Sequence, residues 1–348
     1  MGAPKMEKVC RQIILIFLLL TSCSTKQLME DTKTEPTDID AEYKKVVKVQ
    51  EIKEAPPAAE TQPVKLPLVQ PSSPPQAQIE KVKPHEKKPQ IKAVTAKKRE
   101  PSLEDSEGFD GRRPVVDPFR AGEKVVLAAK YLNIEAGDIT LSVLPFKNVN
   151  QRKAYHLRLD IKTNKTFNFF YAVETKSETY LDFESLVPQT FTYDAKESSR
   201  IREYKIFFDL QKNQATQWKR EVHKKKGESK KKINWEILPY SQNILSALFY
   251  LRTFQLKPGQ KYSFRVADEG KNYIFTFHVL RREKLETKMG VLNTLVIKPD
   301  FMVDGVLKPS GDNFVWVTDD DRKFIAQIAA KVKIGTFMLK LKSIEGPN

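Results

Sequence analysis

Cysteine is nearly absent from this chain: two in 348 residues, Cys10 and Cys23. Cys10 lies in the N-terminal apolar region, so a chain cut ahead of Cys23 keeps a single sulfur. That excludes an internal disulfide and a Cys-based zinc site, and once Cys23 is modified it excludes a thiolate nucleophile as well. Histidine is scarce too, at four residues, and no two of His85, His156, His223 and His278 stand at metal-ligand spacing. No apolar run is long enough for a membrane span, because Ile13 to Leu20 covers about half of the roughly 20 residues a bilayer core needs. From Ser24 to Asp110 the only aromatics are Tyr43 and Phe109. A segment so poor in large apolar groups is expected to build no core of its own.

What the N-terminus does contain is an address. Lys8 and Arg11 precede the apolar run, and Leu20-Thr21-Ser22-Cys23 follows it. Charge, short apolar stretch, small residues and then cysteine resemble a bacterial lipoprotein signal, 1–22, with Cys23 as the lipidated residue. The resemblance implies a diacylglycerol (palmitate-type) anchor and an N-acyl chain on Cys23. Several acyl chains, at about 0.8 kcal/mol per buried methylene, hold a protein on a membrane essentially permanently. Ser24 follows the cysteine where the enterobacterial sorting system would use an Asp for inner-membrane retention. The expected location is therefore the outer membrane, periplasmic face.

Residues 23–110 read as a disordered Pro/Lys-rich tether that holds eleven of the 21 prolines. Fully extended, such a tether reaches on the order of 270 Å. Its end is basic: Lys81 to Arg99 carries eight basic residues against Glu86. A second basic block, Lys219 to Lys232 (KREVHKKKGESKKK), reads as a hairpin tip or loop around Gly227. Both blocks are candidate contacts for an anionic envelope polymer or lipid surface, or simply solvated spacers. The net charge of +16 also raises nucleic acid. The export signal, and lysines unaccompanied by any nucleic-acid-binding motif, argue against it.

Residues 111–348 suffice for one all-β domain. Tyr155, Leu157, Leu159 and Ile161 alternate with His156, Arg158 and Asp160, the period of a half-buried strand. Comparable runs occur at 125–134, 139–144, 169–174, 190–193, 202–210, 261–267, 273–280, 292–297, 314–318, 324–332 and 336–344, separated by turn residues such as Asp268-Glu269-Gly270 and Asp319-Asp320-Asp321. Tyr240 to Phe254 breaks the pattern: Ile244, Leu245, Leu248 and Leu251 stand at helical spacing after Ser241 as a possible N-cap. The fold class expected is mainly β: an antiparallel curved sheet, half-barrel or barrel-like, with one short packed helix, preceded by a disordered linker.

Short matches then line up in order. Pro118, Phe119, Gly122 and Glu123 precede a strand with Tyr131 and the pair Ala136-Gly137. Ser246, Tyr250 and Arg252 form a central motif, and Val315, Trp316, Asp320 and Gly335 close the series. Together they resemble the bacterial exported domain-of-unknown-function family 3108 over about residues 114–345. The resemblance implies an exported, mainly antiparallel β domain without an established reaction. One departure is Ile325-Ala326, where the family pattern has a proline, so that edge of the sheet is expected to differ.

No arrangement of nucleophile, base and oxyanion donors stands out. Each histidine reads more simply as solvent-facing or paired within the sheet, and Asp319-Asp320-Asp321 reads as a turn rather than a Ca²⁺ loop. Spacing selects no pair among Glu123, Glu135, Asp160, Asp209 and Glu236. No metal or cofactor is expected. Arg252 on an apolar helix needs a partner if buried; it is either a pin between helix and sheet or, with Phe249, Tyr250 and Trp316, an anchor for a ligand's carboxylate or phosphate. The reading that results is a noncatalytic binding or scaffold lipoprotein for a lipid, glycan or protein of the envelope. The alternative is an envelope enzyme acting on glycan or lipid through paired carboxylates.

Overall fold

The computed structural model describes residues 39–52, 109, 113–131, 134–303, 306–308, 312–331 and 336–347. The signal 1–22, Cys23, the basic block Lys81–Arg99, His85 and Gly335 lie outside the described residues. In chain order the elements are α1 (Ile39–Val46), β1 (Val49–Glu51), β2 (Lys124–Tyr131), β3 (Ile134–Val149), β4 (Arg152–Thr163), a single turn α2 (Lys165–Asn168), β5 (Val173–Asp182), β6 (Pro188–Glu197) and β7 (Arg200–Asp209). They continue with β8 (Gln214–His223), β9 (Gly227–Glu236), α3 (Ile244–Tyr250) running into a 3₁₀ turn at Leu251–Thr253, β10 (Lys261–Asp268), β11 (Lys271–Thr287), β12 (Gly290–Val303), β13 (Val306–Lys308), β14 (Phe314–Thr318), β15 (Ile325–Lys331) and β16 (Thr336–Glu345).

One antiparallel sheet takes in every strand. Its order is β10-β11-β12-β14-β15-β16-β2-β3-β4-β5-β6-β7-β8-β9, with β1 added to β3 and β13 to β12. Almost every neighbour is a sequence neighbour, as short turns require, while β16 closing onto β2 brings the two ends of the domain together. The sheet is not closed into a barrel. Among the described residues β9 and β10 share no ladder; Val266 of β10 instead bridges Gln242, in the chain between β9 and α3. Of the expected shapes, the curved open sheet holds and the closed barrel does not.

The concave face carries the core. Tyr155, Leu157 and Leu159 of β4 point into it, in the phase read from the sequence, beside Leu127 and Leu339. Helix α3 lies across this face as its lid. The N-cap is Asn243, not Ser241: Asn243 Oδ1 accepts from Leu245 N at 3.0 Å and Ser246 N at 2.8 Å, and Asn243 N donates to Ser246 Oγ at 2.9 Å. That reciprocal capping box satisfies helix-end donors that nothing else would meet. Asn243 Nδ2 also donates to Thr179 Oγ1 on β5 at 2.7 Å, which ties the helix start to the sheet.

Three further expectations change. The stretch 169–174 is not strand throughout: Phe169 and Phe170 are exposed after α2, and β5 begins at Val173. Ile325-Ala326 lies at no edge, since β15 pairs with both β14 and β16, with the irregularity taken up as a bulge opposite Trp316/Val317. The tether reading is corrected at two places. Phe109 is buried in the core, stacked on Tyr240 at 5.3 Å, so the domain begins ahead of residue 111. Residues 39–52 also fold back onto the outer, convex face. Tyr43 buries its ring edge-on to Trp218 and hydrogen-bonds Thr190 Oγ1 at 2.6 Å, Val47 packs beside it against Val149 and Ala154, and β1 pairs with the end of β3. An eight-residue helix is marginal alone; docking supplies what composition lacks.

The Ala136-Gly137 pair has a steric reason. A Cβ on Gly137 would stand 2.2 Å from Lys162 O, so only glycine lets β3 approach β4 there. Gly122, at φ +92°, makes the turn into β2.

Candidate functional site

Two sites stand on the concave face, and the first of them draws on the site residues flagged by the sequence. The first is the Arg252 pin. Arg252 is 3% exposed and Glu123 2%. Nη1 donates to Glu123 Oε1 at 2.5 Å, Nη2 to Glu123 Oε2 at 3.0 Å and to Pro118 O at 2.8 Å, and Nε to Arg322 O at 2.8 Å. The fork-to-carboxylate pairing is the geometry only arginine provides. Phe119, Phe249 and Phe324 place their rings 5.0 to 5.9 Å from the guanidinium carbon. Arg322 joins from the β14–β15 turn, with Nη2 donating to Glu123 Oε2 at 2.9 Å. Burial pulls the Arg322 guanidinium below its ordinary value, partly offset by Glu123. Glu123 thus serves two arginines. The pin ties α3, the chain before β2 and that turn into one unit.

The second site is an apolar cleft beneath the start of α3. Ile244, Leu245 and Leu248 form its roof, Leu159, Ile161 and Phe191 its wall, and the stacked rings of Tyr193 and Tyr204, 4.7 Å apart, part of its floor. Ser177 adds one hydroxyl, and Asp268 with Glu269 stand at one end. Burial, with the Glu269 charge beside it, pushes the Asp268 carboxyl well above its ordinary range. The space of the cleft, counted out to its open mouth, is about 540 Å³.

A buried polar group the sequence reading missed holds the floor in place. Arg202 donates to Tyr193 OH at 3.0 Å and Tyr204 OH at 3.2 Å and pairs with Glu197, which also accepts from Tyr171 OH at 2.8 Å and Arg200 Nε at 2.9 Å. Burial alone would raise the Glu197 carboxyl, but Arg202 and Arg200 outweigh it and hold it below its ordinary value. The signal was present: Arg202 is in phase with Tyr204, Ile206 and Phe208, so an alternating strand turns it inward.

The four residues grouped by the sequence do not form one site. Phe249, Tyr250 and Arg252 are together and buried, yet none lines the cleft. Arg252 lies eight residues beyond Ile244, about 12 Å along a helix, and four of its donor contacts are internal. The ligand-anchor geometry is therefore not the one adopted. Trp316 is on the opposite face with Val296 and Ala329, its Nε1 donating to Glu283 Oε1 at 3.0 Å.

The remaining carboxylates are dispersed. Glu135 and Asp138 hold Lys342, Asp160 holds Arg158, and Asp209 caps the turn at Gln211 and Lys212. Asp320 accepts from Thr318, Arg322 and Lys323 as a turn residue. His278 is 3.4 Å from Asp300, and His223 Nδ1 accepts from Lys225 N. No group of three or more His, Cys, Asp and Glu is placed to hold a metal among the described residues.

His156 stacks on Tyr180 on the outer face and approaches Glu178 at 3.3 Å. Burial alone would raise the Glu178 carboxyl; the adjacent His156 and Lys176 side chains outweigh it and bring it to about 2 from its ordinary 4.5. A carboxylate depressed by folding contributes stability above its unfolded value and loses it as pH falls through the folded one. Thermal melts should show a loss between pH 4.5 and about 2 that is shallower in Glu178→Gln. Superimposable acid limbs would mean the pair adds nothing.

The model for a "Protein of unknown function (DUF3108)" matches residues 127–342. The chain belongs to the DUF3108 family. In this DUF3108 protein the matched region takes in the whole cleft and Arg252, while Pro118, Phe119, Gly122 and Glu123 precede it. No curated protein matches the chain. Among solved structures it is similar to the beta-barrel-like DUF1849 protein of Brucella abortus, at TM-score 0.41 and 8% identity over 66% of this chain and 98% of that one. It is also similar to a protein of Bacteroides fragilis named as exported with a YmcC-like fold, at TM-score 0.29 and 6% identity over 65% and 97%. A third is a Parabacteroides distasonis protein named as a lipoprotein, at TM-score 0.25 and 7% identity over 65% and 95%.

Proposed function

We propose that this protein is a noncatalytic binding module of the bacterial envelope, anchored through lipid at Cys23 on the periplasmic face of the outer membrane. It takes the aliphatic part of a lipidic ligand into the cleft beneath α3. The observation that carries the reading is the cleft itself, an apolar slot roofed by Ile244, Leu245 and Leu248 with a carboxyl pair at one end. Small-molecule sites are concave, mostly apolar and furnished with a few polar groups that set orientation, and this one fits the description. Binding is favoured over the envelope-enzyme alternative because Glu123, Glu135, Asp160 and Asp209 each serve a different structural partner, and of the pair at the cleft end Glu269 already faces Lys219.

The probe is cis-parinaric acid, a fatty acid whose polyene brightens in apolar surroundings. The expected result is saturable binding to the full chain, on the order of micromolar Kd, and displacement by a saturated fatty acid. Linear, non-displaceable fluorescence would overturn the reading.

A further inference from the structure

Two features of the outer face lie apart from the cleft. The first is the route of the N-terminal segment. Glu42 accepts from Lys232 Nζ on β9 at 2.6 Å and from Trp218 Nε1 on β8 at 2.8 Å, and Asp40 pairs with Lys205 on β7. Lys205, Trp218 and Lys232 stand in one row across these three strands. The chain toward Cys23 therefore departs from the β7–β9 end of the sheet. Fifteen residues, 24–38, separate Cys23 from Ile39, so the two Cα atoms lie within about 55 Å of each other in any conformation. Docking of α1 replaces a long tether by a short leash.

The second feature is the charge at that same end. Beyond Trp218 the β8–β9 hairpin runs on for five residues, about 17 Å at strand rise, into the turn Lys224-Lys225-Lys226. Residues 219–232 hold eight basic and two acidic side chains, a net of +6. Both acids are already engaged, Glu221 by Lys219 and Glu228 by Arg220 and Lys230. Lys224, Lys225 and Lys226 are exposed and pair with no carboxylate among the described residues. Lysines along β9 guard a free sheet edge against strand addition. The turn lies past the ladder, so its three lysines add nothing to that protection.

We propose that the β8–β9 hairpin tip contacts the anionic phospholipid head groups of the membrane that holds Cys23, as an electrostatic second anchor that orients the domain. The inference rests on the lipid-anchor reading and is independent of the cleft. The short leash keeps this end of the sheet within reach of the membrane, and the unpaired lysines match a phosphate-bearing surface. A lysine near such a surface contributes roughly a fivefold change in partitioning, screened by salt.

The test uses the unacylated chain 23–348 and cosedimentation with phosphatidylcholine vesicles, with or without one part in three phosphatidylglycerol. The expected result is binding to the anionic vesicles alone, weakened more than about 100-fold in K224E/K225E/K226E and lost on raising salt from about 0.05 to 0.5 M. Unchanged circular dichroism in the variant would confine the effect to the surface. Equal binding to neutral vesicles, or a triple variant that binds as tightly as the native chain, would overturn the proposal. Retention on insoluble cell-wall polymer without vesicle binding would overturn it too, assigning the hairpin to the wall.

Discussion

Glu123→Leu should destabilise the domain by about 3–5 kcal/mol, because it strips a buried guanidinium of its charge partner. Glu123 accepts from both Arg252 and Arg322. Its loss therefore leaves Arg252 enclosed by Phe119, Phe249 and Phe324 with only carbonyl oxygens to bond. Arg252→Met should cost less, since Arg322 still neutralises Glu123 from its partly exposed position. The double variant Glu123→Leu/Arg252→Met should recover much of the Glu123→Leu loss, as replacing both partners by apolar groups removes the unpaired charge. Urea unfolding followed by circular dichroism measures all three. The structural-pin account predicts a large coupling term. A Glu123→Leu variant within about 1 kcal/mol of native would mean that the guanidinium is solvated and free, and would restore it as a ligand anchor.

Leu248→Trp should abolish parinarate binding, weakening it at least about 30-fold, with little change in stability. Leu248 is half-buried and lines the cleft roof, whereas its neighbours Phe249 and Tyr250 are fully buried. An indole there fills the narrow slot without entering the close-packed core, so the overpacking that costs about 1–3 kcal/mol in a core is avoided. Titration of native and variant proteins at matched folded fraction separates occlusion from unfolding. Undiminished binding by a folded Leu248→Trp would place the ligand elsewhere.

Much of the fold was legible because a half-buried strand writes its faces into the sequence. Tyr155-Leu157-Leu159 against His156-Arg158 fixes which side of β4 meets the core. Where both phases are apolar, that signal vanishes: Phe314 and Trp316 compete with Val315 and Val317 for the concave face, and the valines occupy it. The pattern alone therefore groups Trp316 with residues of the opposite face. The Arg202–Glu197 pair could have been found, since β7 turns Arg202 inward and burial then demands an acid. The Glu123–Arg252 pair is separated by 129 residues, so periodicity cannot reveal it, although the family resemblance contained both members. The cleft is harder still, assembled from β4 to β7, α3 and the β10–β11 turn, each contributing one to three side chains, most of them ordinary apolar ones beside Ser177, Asp268 and Glu269. Residues 39–52 escaped because their order depends on partners such as Trp218, Thr190 and Lys232, far along the chain.

The most direct test of the binding account is native mass spectrometry of the chain purified from periplasm without detergent, compared with the denatured protein. The account predicts a folded species carrying an additional mass, released on denaturation as an aliphatic lipid and missing from Leu248→Trp prepared in parallel. A native chain of bare polypeptide mass that also fails to retain added fatty acid would contradict it.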